Sequence, residues 1–477
     1  MNNDLPSRSR RNFLKTAGAA LAFTGLQRYS RAADKLIGAR GAATTSSAAV
    51  EGFGPLLDDP AGLIRLPKGF TYQSFSKTGE LMDDGFHVPG AHDGMAAFEG
   101  PDGSTLLVRN HEMSPGNDDA SPFQSSDELF ERARPHMYDT AHGRHACTGG
   151  TTTLVYDTRN KKLLQHSFSL AGTMRNCSGG PTPWGTWITC EETVVRSGDI
   201  LEKDHGYCFE VPATAEMRLA PSTPIKGMGR FNHEAVAVDP ATSIVYLTED
   251  RPDGLLYRYV PKTPGKMLDG GKLQALAIKD APSRDTRNWR EIGQPDFPID
   301  TPIAAEWIDL QNIEAPEDDL RYRGFQRGAA RFARGEGMVY SDGHIYFACT
   351  NGGARKFGQI FKYSPSNYEA TNQESSQPGT LSLHIESHDS KLMQACDNLT
   401  VAPWGDVIIC EDDSEKSAIV GVTPEGKLYH IAHIAMQSEL AGACFSPDGT
   451  TLFVNVQKNP GQTLAITGPW ESRRISS

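Results

Sequence analysis

Residues 397–412 read DNLTVAPWGDVIICED, and this stretch shows the pattern from which the fold can be predicted. A polar residue opens an apolar run, a tight turn rich in Pro, Gly and Asp follows, and a second apolar run ends in acids. Two other stretches repeat the pattern, EAVAVDPATSIVYLTED at 234–250 and EGMVYSDGHIYFACTN at 336–351. Short apolar runs separated by turn residues predict β-hairpins.

Three more stretches share the pattern: HDGMAAFEGPDGSTLLVRNHE at 92–112, CSGGPTPWGTWITCEE at 177–192 and AGACFSPDGTTLFVN at 441–455. A repeated hairpin that cannot bury both its faces alone predicts radial stacking. We therefore expect an all-β protein, a six-bladed β-propeller over residues 56–470 with inserted loops. The polar, Pro-rich segments 113–150 and 264–330 are expected to be surface loops or lids rather than blades. A pair of β-sandwich domains is the alternative.

The N-terminus predicts an export signal. Residues 9–15 read SRRNFLK, an apolar run follows at 16–26, and small residues surround Ala32. This order is typical of a twin-arginine signal peptide at 1–32, cleaved near Ala32. We expect the twin-arginine export machinery to carry the folded chain to the periplasm or the exterior, with residues 33–55 as a flexible lead-in.

Composition excludes several classes of function. The 477 residues have a formal net charge of −12, and because residues 1–32 are basic the remainder is more acidic still, which disfavours nucleic-acid binding. After the signal no apolar run reaches the ~18 residues of a membrane span, so no stable membrane insertion is expected after cleavage. No GxGxxG, GxxxxGK[ST] or GxSxG motif supports nicotinamide, phosphate-loop or serine chemistry. We expect a monomer.

Acids recur where the predicted inner strands begin and where the following strands end. In a propeller these positions converge from different blades on one mouth of the central channel. Oxygen ligands in such number suit Ca²⁺ or another hard cation. Acids that only cap turns and solvate the rim are the alternative. The candidates are Asp93, Glu191, Glu192, Glu234, Glu249, Asp250, Glu336, Asp397, Asn398, Glu411 and Asp412.

Cys177 occupies a blade-start position in a polar, Gly-rich setting, NCSGG at 176–180. A thiolate among carboxylates points to a transition metal such as iron, although an unpaired structural cysteine is possible. Arg334 stands two residues before Glu336 and could present its planar fork to a phosphate, or form a surface salt bridge. Small, buried hydrophobic roles are predicted for Cys190, Cys349, Cys410 and Cys444.

The twin-arginine leader, NCSGG at 176–180, TPWGTW at 182–187, CEE at 190–192 and the stretch 233–250 together resemble the PhoX alkaline phosphatases. The resemblance implies a six-bladed propeller that carries two Fe³⁺ ions and several Ca²⁺ ions and hydrolyses phosphate monoesters outside the cytoplasm. It implies that Arg334 binds phosphate. The metal ligands it implies are Cys177, Glu192, Glu234, Glu249, Glu336, Asp397 and Asp412, to which the blade pattern adds Asn398.

The expected reaction is metal-assisted hydrolysis of a small phosphoester, because concentrated positive charge suits a very slow phosphoryl transfer. Two alternatives remain at the level of sequence. A calcium-dependent propeller lactonase or other esterase would not need Cys177. An extracellular binding propeller without catalysis would use calcium only for stability.

Overall fold

The chain is described by a computed structural model that covers residues 49–116, 120–413 and 416–474. The predicted signal peptide and most of the predicted lead-in lie outside these residues. The first strand begins at Leu56 and the last ends at Thr467. Strands dominate because β-branched and aromatic residues alternate between turns rich in Gly, Pro and Asp.

The first two sheets follow one another along the chain. The first is a four-stranded antiparallel meander made of β4 (His92–Glu99), β5 (Thr105–His111), β6 (Gly149–Asp157) and β7 (Lys162–Thr173). The second has three strands, β8 (Asn176–Pro181), β9 (Thr186–Glu191) and β10 (Cys208–Pro212). Both are antiparallel, as hairpin connections require.

The third sheet has nine strands. One half is the meander β11 (His233–Val238), β12 (Val245–Glu249), β13 (Leu256–Pro261) and β14 (Gly271–Ile278), and the other is β16 (Gly335–Ser341), β17 (His344–Cys349), β18 (Gln359–Ser364) and β19 (Thr380–Glu386). Between them, β15 (Ile303–Asp309) pairs with both β14 and β19. This strand therefore joins two meanders into one hydrogen-bonded sheet.

The last two sheets recruit strands from the N-terminal part of the chain. One contains β1 (Leu56–Leu57), β2 (Ile64–Pro67), β20 (Cys396–Val401), β21 (Val407–Glu411), β22 (Ala418–Val422) and β23 (Leu428–Ile434). The other contains β3 (Thr71–Phe75), β24 (Leu440–Phe445), β25 (Thr451–Val456) and β26 (Gln462–Thr467). Because β3 pairs with β26, the start and the end of the described fold are tied together.

The strand that opens each repeated hairpin is called here an inner strand: β4, β8, β11, β16, β20 and β24. Each contacts the next in this order, and β24 contacts β4. Apolar side chains pack between neighbouring sheets, for example Cys177, Val236 and Tyr257 in one cluster. The expected all-β, propeller-like arrangement is confirmed, but hydrogen bonding gives five sheets rather than six separate blades, because β15 bridges two of them.

The prediction for segment 264–330 is wrong in part, because it contains β14 and β15. Leu273 and residues 275–278 of β14 are buried, so this run packs into the sheet despite its polar surroundings. The rest of the segment does include loops and the short helix α2 (Leu320–Gln326). Segment 113–150 runs between strands and carries α1 (Asp127–Ala133), where the Ser126 side chain accepts a hydrogen bond from the Leu129 N–H at 3.3 Å.

The remaining helices are short. A last helix, α3, spans Glu471–Arg474. Single 3-10 turns occur at Pro101–Gly103, Arg134–His136, Ala141–Gly143, Lys226–Met228, Met267–Asp269 and Arg290–Ile292. Within the described part of the chain, no helix combines the length and apolar character that crossing a bilayer requires.

Candidate metal centre

All six inner strands carry the same irregularity just after they begin. Each has one residue more than its hairpin partner, as between His233 and Val236, which pair with Glu249 and Leu247. Such a β-bulge bends the strand and re-aims a side chain. The first bulged residues are Asp93, Cys177, Glu234, Glu336, Asp397 and Gly442.

The inner strands approach one another closely at these bulges. A Cβ atom on Gly337 would lie 2.6 Å from the Asn398 Cα, which is closer than real side chains come. Glycine therefore allows the backbone of β16 to meet that of β20. The side chains at the bulges of neighbouring inner strands therefore lie close together.

Five of the predicted site residues meet as one group, which we call the axial cluster: Cys177, Glu192, Glu234, Glu336 and Asp397. Ligand atoms of the first three lie within 4.8 Å of one another, as do those of the last three, and Glu234 belongs to both sets. Four of these residues come from bulges on four different inner strands. Glu192 directly follows β9, the partner of β8.

Burial and mutual repulsion set the electrostatics of the axial cluster. Burial, then the charge of Asp250, raises the pKa of Glu192 to about 8, and burial, then the charge of Asp412, raises that of Asp397 to about 7. The pKa of Glu234 lies well above its usual value, first through burial and then through Asp397. Carboxylates in this arrangement ionise together only when cations lie between them.

Arg334 borders the axial cluster, where it is paired with two carboxylates. Its Nε and Nη2 donate to the two carboxylate oxygens of Asp250 at 2.8 and 2.9 Å, and Nη2 also donates to Glu336 Oε1 at 2.6 Å. The charge of Glu336 raises the pKa of Arg334, so its positive charge is secure. About a third of the side chain is exposed, and Nη1 makes no hydrogen bond within the described part of the chain.

Arg175 is a cation that the sequence reasoning missed. It stands two residues before Cys177, as Arg334 stands two residues before Glu336, and both arginines have a left-handed backbone, with φ of 45° and 51°. Its Nη2 contacts Glu112 Oε1 at 2.9 Å and also the Glu192 carboxylate. The sequence signal for Arg175 was its spacing, because each of these arginines stands two residues before a bulged residue.

Three other predicted ligands lie outside the axial cluster. Glu249 instead accepts hydrogen bonds from the Leu255 N–H at 3.2 Å and the Tyr257 hydroxyl at 2.7 Å. The Asn398 Oδ1 accepts from the Gly442 N–H at 2.6 Å, so this side chain ties β20 to β24. Asp412 lies at the border, where its charge raises the pKa of Asp397.

Strand alternation explains the position of Glu249. Side chains of adjacent residues in a strand point to opposite faces, so only one acid of each consecutive pair can face the channel. In the pairs 191–192 and 249–250 it is the second acid that contacts an arginine of the channel, Arg175 or Arg334. Asp250 is therefore the residue of its pair that borders the axial cluster, and Glu249 is not.

A second acidic group, Asp93, Glu112 and Glu439, also has ligand atoms within 4.8 Å of one another. The Gln457 Nε2 donates to Asp93 at 3.0 Å and to Glu112 at 3.1 Å. Burial first, then the charge of Glu112, raises the pKa of Asp93 well above its usual value, and Asp397 of the axial cluster adds to the shift. This group contains only oxygen ligands, and Glu112 and Glu439 were not predicted.

A third group lies elsewhere, and we call it the His205 cluster: Asp139, Cys147, Glu191 and His205. The imidazole contacts Glu191 Oε1 at 2.7 Å and Asp139 Oδ2 at 3.3 Å. Burial lowers the pKa of His205, but the charge of Glu191 and the bond to Asp139 raise it to about 12. Burial likewise opposes the shift of Asp139, whose pKa falls to about 2 through His205 and backbone N–H donors. This cluster therefore stabilises its two carboxylates with one imidazolium and with backbone N–H donors.

All eight cysteines are free and buried, including the four predicted to act as small hydrophobic residues. Cys177 differs because its sulfur lies beside carboxylates and 3.4 Å from the His233 carbonyl oxygen. The histidines that flank the acids are not members of the axial cluster. His233, for example, bonds to the Gly229 carbonyl at 3.1 Å, and burial lowers its pKa to about 4.

Comparisons with known proteins identify the family of the chain. Residues 51–461 match the family described as "Alkaline phosphatase PhoX". Pseudomonas fluorescens PhoX, solved in complex with vanadate, is 20% identical with a TM-score of 0.62, covering 89% of this chain and 98% of that one. A gluconolactonase from Xanthomonas campestris is 11% identical with a TM-score of 0.38, covering 90% and 99%. A search of curated proteins finds no match. The match over most of its length means that the chain belongs to the PhoX family of alkaline phosphatases.

Proposed function

We propose that the axial cluster is the active centre at which this phosphatase hydrolyses phosphate monoesters. The observation that carries the proposal is the convergence of Cys177, Glu234, Glu336 and Asp397 from four inner strands beside Arg334. A family of phosphatases needs such a place, because a phosphoryl group bears several negative charges and requires concentrated positive charge around it.

The donor set fits iron. A buried thiol lies with carboxylates whose raised pKa values call for cations, and a soft sulfur ligand suits a transition metal better than calcium. We assign two Fe³⁺ ions to Cys177, Glu192, Glu234, Glu336 and Asp397. When bound, the metal supplies Lewis-acid charge and lowers the pKa of water.

The oxygen-only group fits calcium, which takes six to eight oxygen ligands. We assign Ca²⁺ ions to Asp93, Glu112 and Glu439, with Asp412 as a further ligand at the border between the two groups. Asp412 supports this assignment because it raises the pKa of both Asp397 and Glu439, the latter to about 10 after burial.

Arg334 is proposed to hold the phosphoryl group. Asp250 and Glu336 fix its guanidinium through Nε and Nη2, so its orientation is set before the substrate arrives. The partly exposed edge at Nη1 is left for the phosphoryl oxygens. A pre-oriented planar fork of this kind binds phosphate with little loss of conformational entropy.

We also propose that the fold has six propeller blades, with the nine-stranded sheet contributing two. The closed succession of six inner strands supports this count. We further propose export by the twin-arginine machinery to the periplasm or exterior as a monomer that does not insert into the membrane. Fractionation of cells that express a variant with Arg10→Lys and Arg11→Lys tests the route, since retention in the cytoplasm is expected.

The function is tested with p-nitrophenyl phosphate. We expect hydrolysis by the exported protein, loss of activity on prolonged chelation, and recovery only when iron and calcium are both restored. Competition by inorganic phosphate is expected as well. Activity that is indifferent to chelation would overturn the assignment of the axial cluster as the active centre.

A further inference from the structure

A cleft of about 330 Å³ opens beside the axial cluster. Its walls include Arg175, Glu192, Asn232 and Arg251, together with residues 193–195. Because Glu192 belongs to the axial cluster, a phosphoester bound there would extend the rest of its molecule into this cleft. The charges on the cleft walls would then face the alcohol portion of the ester.

The acid in this cleft already has partners on the protein. The Glu192 carboxylate contacts Arg175 and accepts a hydrogen bond from Asn232 Nδ2 at 2.9 Å. Arg175 in turn reaches Glu112 at 2.9 Å. Glu192 and Arg175 are therefore paired with each other and with neighbouring residues.

Arg251 is differently placed. Its Nε is buried and has no hydrogen-bond partner within the described residues. Its guanidinium makes one ion pair there, with Asp318 at 3.5 Å, and about a third of each of these side chains is exposed. A buried donor left unpaired costs about 1–3 kcal/mol, so this arginine has hydrogen-bonding capacity that a ligand could use.

The backbone fixes Arg251 next to Arg334. The Arg251 carbonyl accepts hydrogen bonds from the Arg334 N–H and the Gly254 N–H, both at 2.9 Å, while its own N–H donates to the Glu249 carbonyl at 2.9 Å. Asp250, the preceding residue, holds the Arg334 guanidinium. One short turn therefore positions the proposed phosphoryl-binding arginine and carries a second cation beside it.

We infer that Arg251 binds an anionic group on the alcohol portion of the substrate. The preferred esters are then phosphomonoesters that carry a second anion, a carboxylate or a phosphate, rather than esters of neutral alcohols. This inference rests on the proposed function, since it needs the phosphoryl group to lie at the axial cluster.

The test compares kcat/KM for 3-phosphoglycerate, whose alcohol portion carries a carboxylate, with that for glycerol 3-phosphate, whose alcohol portion is neutral. We expect the wild-type ratio to favour 3-phosphoglycerate. Arg251→Gln should lower the ratio about tenfold through KM, as loss of a charged hydrogen bond predicts. Arg251→Lys, which keeps the charge, should recover part of it.

Arg196→Gln is the matched control. Arg196 pairs with Asp204 at 3.9 Å, its side chain is half exposed, and its replacement changes the net charge equally. We expect the wild-type ratio for this variant. A binding measurement adds a second readout: by calorimetry on the metal-loaded protein, Arg251→Gln should lose affinity for 3-phosphonopropionate more than for propylphosphonate.

The outcomes separate the two proposals. If the wild type hydrolyses neither these esters nor p-nitrophenyl phosphate, the proposed function fails and this inference with it. If it hydrolyses p-nitrophenyl phosphate but neither of these esters, only this inference fails. If both esters are hydrolysed but Arg251→Gln keeps the wild-type ratio, or Arg196→Gln lowers it as much, only the role of Arg251 is overturned.

Discussion

Two buried clusters contain adjacent acids from the end of β9, and their negative charge is stabilised in different ways. Glu191 belongs to the His205 cluster, and Glu192 belongs to the axial cluster. In the first, the protein supplies its own cation and the Glu191 carboxylate also accepts N–H donors from Met174 and Gly206. In the second, carboxylates and a thiol face one another with raised pKa values.

A metal centre can be distinguished from other buried acids by this contrast. Proximity alone does not separate the clusters, because Asp139, Cys147 and His205 are as close together as the ligand sets of the axial cluster. The direction of the pKa shifts does. The pKa of Asp139 is lowered to about 2, whereas that of Asp397 is raised to about 7. External cations are needed only where the protein leaves its carboxylates unneutralised.

The largest effect is expected from Glu234→Gln, because Glu234 belongs to both ligand sets of the axial cluster. Loss of this carboxylate should reduce iron content and lower kcat/KM for p-nitrophenyl phosphate about 10³-fold, the equivalent of several kcal/mol. Metal analysis and steady-state kinetics on the same preparation measure both. Full activity with an unchanged metal content would remove Glu234 from the centre.

His205→Gln should affect stability instead. It leaves Glu191 and Asp139 buried without a cation, which costs about 3–5 kcal/mol of unfolding free energy. The raised pKa of His205 adds a pH signature: its contribution is complete below about 6.5 and is lost as the pH rises towards about 12. Denaturant unfolding at several pH values should show that the difference in unfolding free energy between wild type and variant falls as the pH rises. Loss of bound iron from the folded variant would contradict the separation of the clusters.

Arg334→Ala should weaken both turnover and inhibition by phosphate, by about 10² in kcat/KM, as is common for loss of one preorganised charge donor. Inhibition constants for inorganic phosphate provide the measurement. Arg323→Ala is a suitable control, since Arg323 of α2 donates a hydrogen bond to Asp319, the residue before that helix. A variant at Arg334 with wild-type phosphate inhibition would place this arginine outside the phosphoryl site.

The smallest effect concerns the metal-free protein. Because the pKa values of Glu192 and Asp397 are raised to about 8 and 7, the folded chain keeps protons that the unfolded chain releases near pH 4. The stability that these groups contribute is present below pH 4 and is lost as the pH rises to about 8. The Tm of the chelated protein should therefore fall by a few degrees over this range, and metals should remove the slope. A slope unaffected by metals would contradict the account.

The inner strands and their first residues were predicted better from the sequence than the later strands of each sheet. Blade-start residues such as Cys177 and Glu336 were identified because each hairpin repeats the same polar opening. The strands β14 and β15 were missed, since their short apolar runs lie in polar, Pro-rich sequence and gain their burial from neighbouring sheets. The joining of two meanders by β15 depends on those long-range contacts, which a local pattern does not contain.

The same limit explains the errors at the site. Whether Glu249 or Asp250 faces the axial cluster depends on where each side chain points at the end of β12. The bulge in the paired strand β11 sets that register. Glu112 could have been a candidate, because it directly follows the second strand of its hairpin as Glu192 and Asp412 do, whereas Glu439 needed three-dimensional neighbours. Arg175 could have been found, because its spacing before Cys177 equals that of Arg334 before Glu336.

Elemental analysis of three purified proteins shows whether iron is held by the axial cluster and not by the His205 cluster. We predict iron and calcium in the wild type, loss of iron in Glu234→Gln, and a wild-type metal content in folded His205→Gln. An active wild type without metal, or an iron content that follows His205 rather than Glu234, would contradict the account.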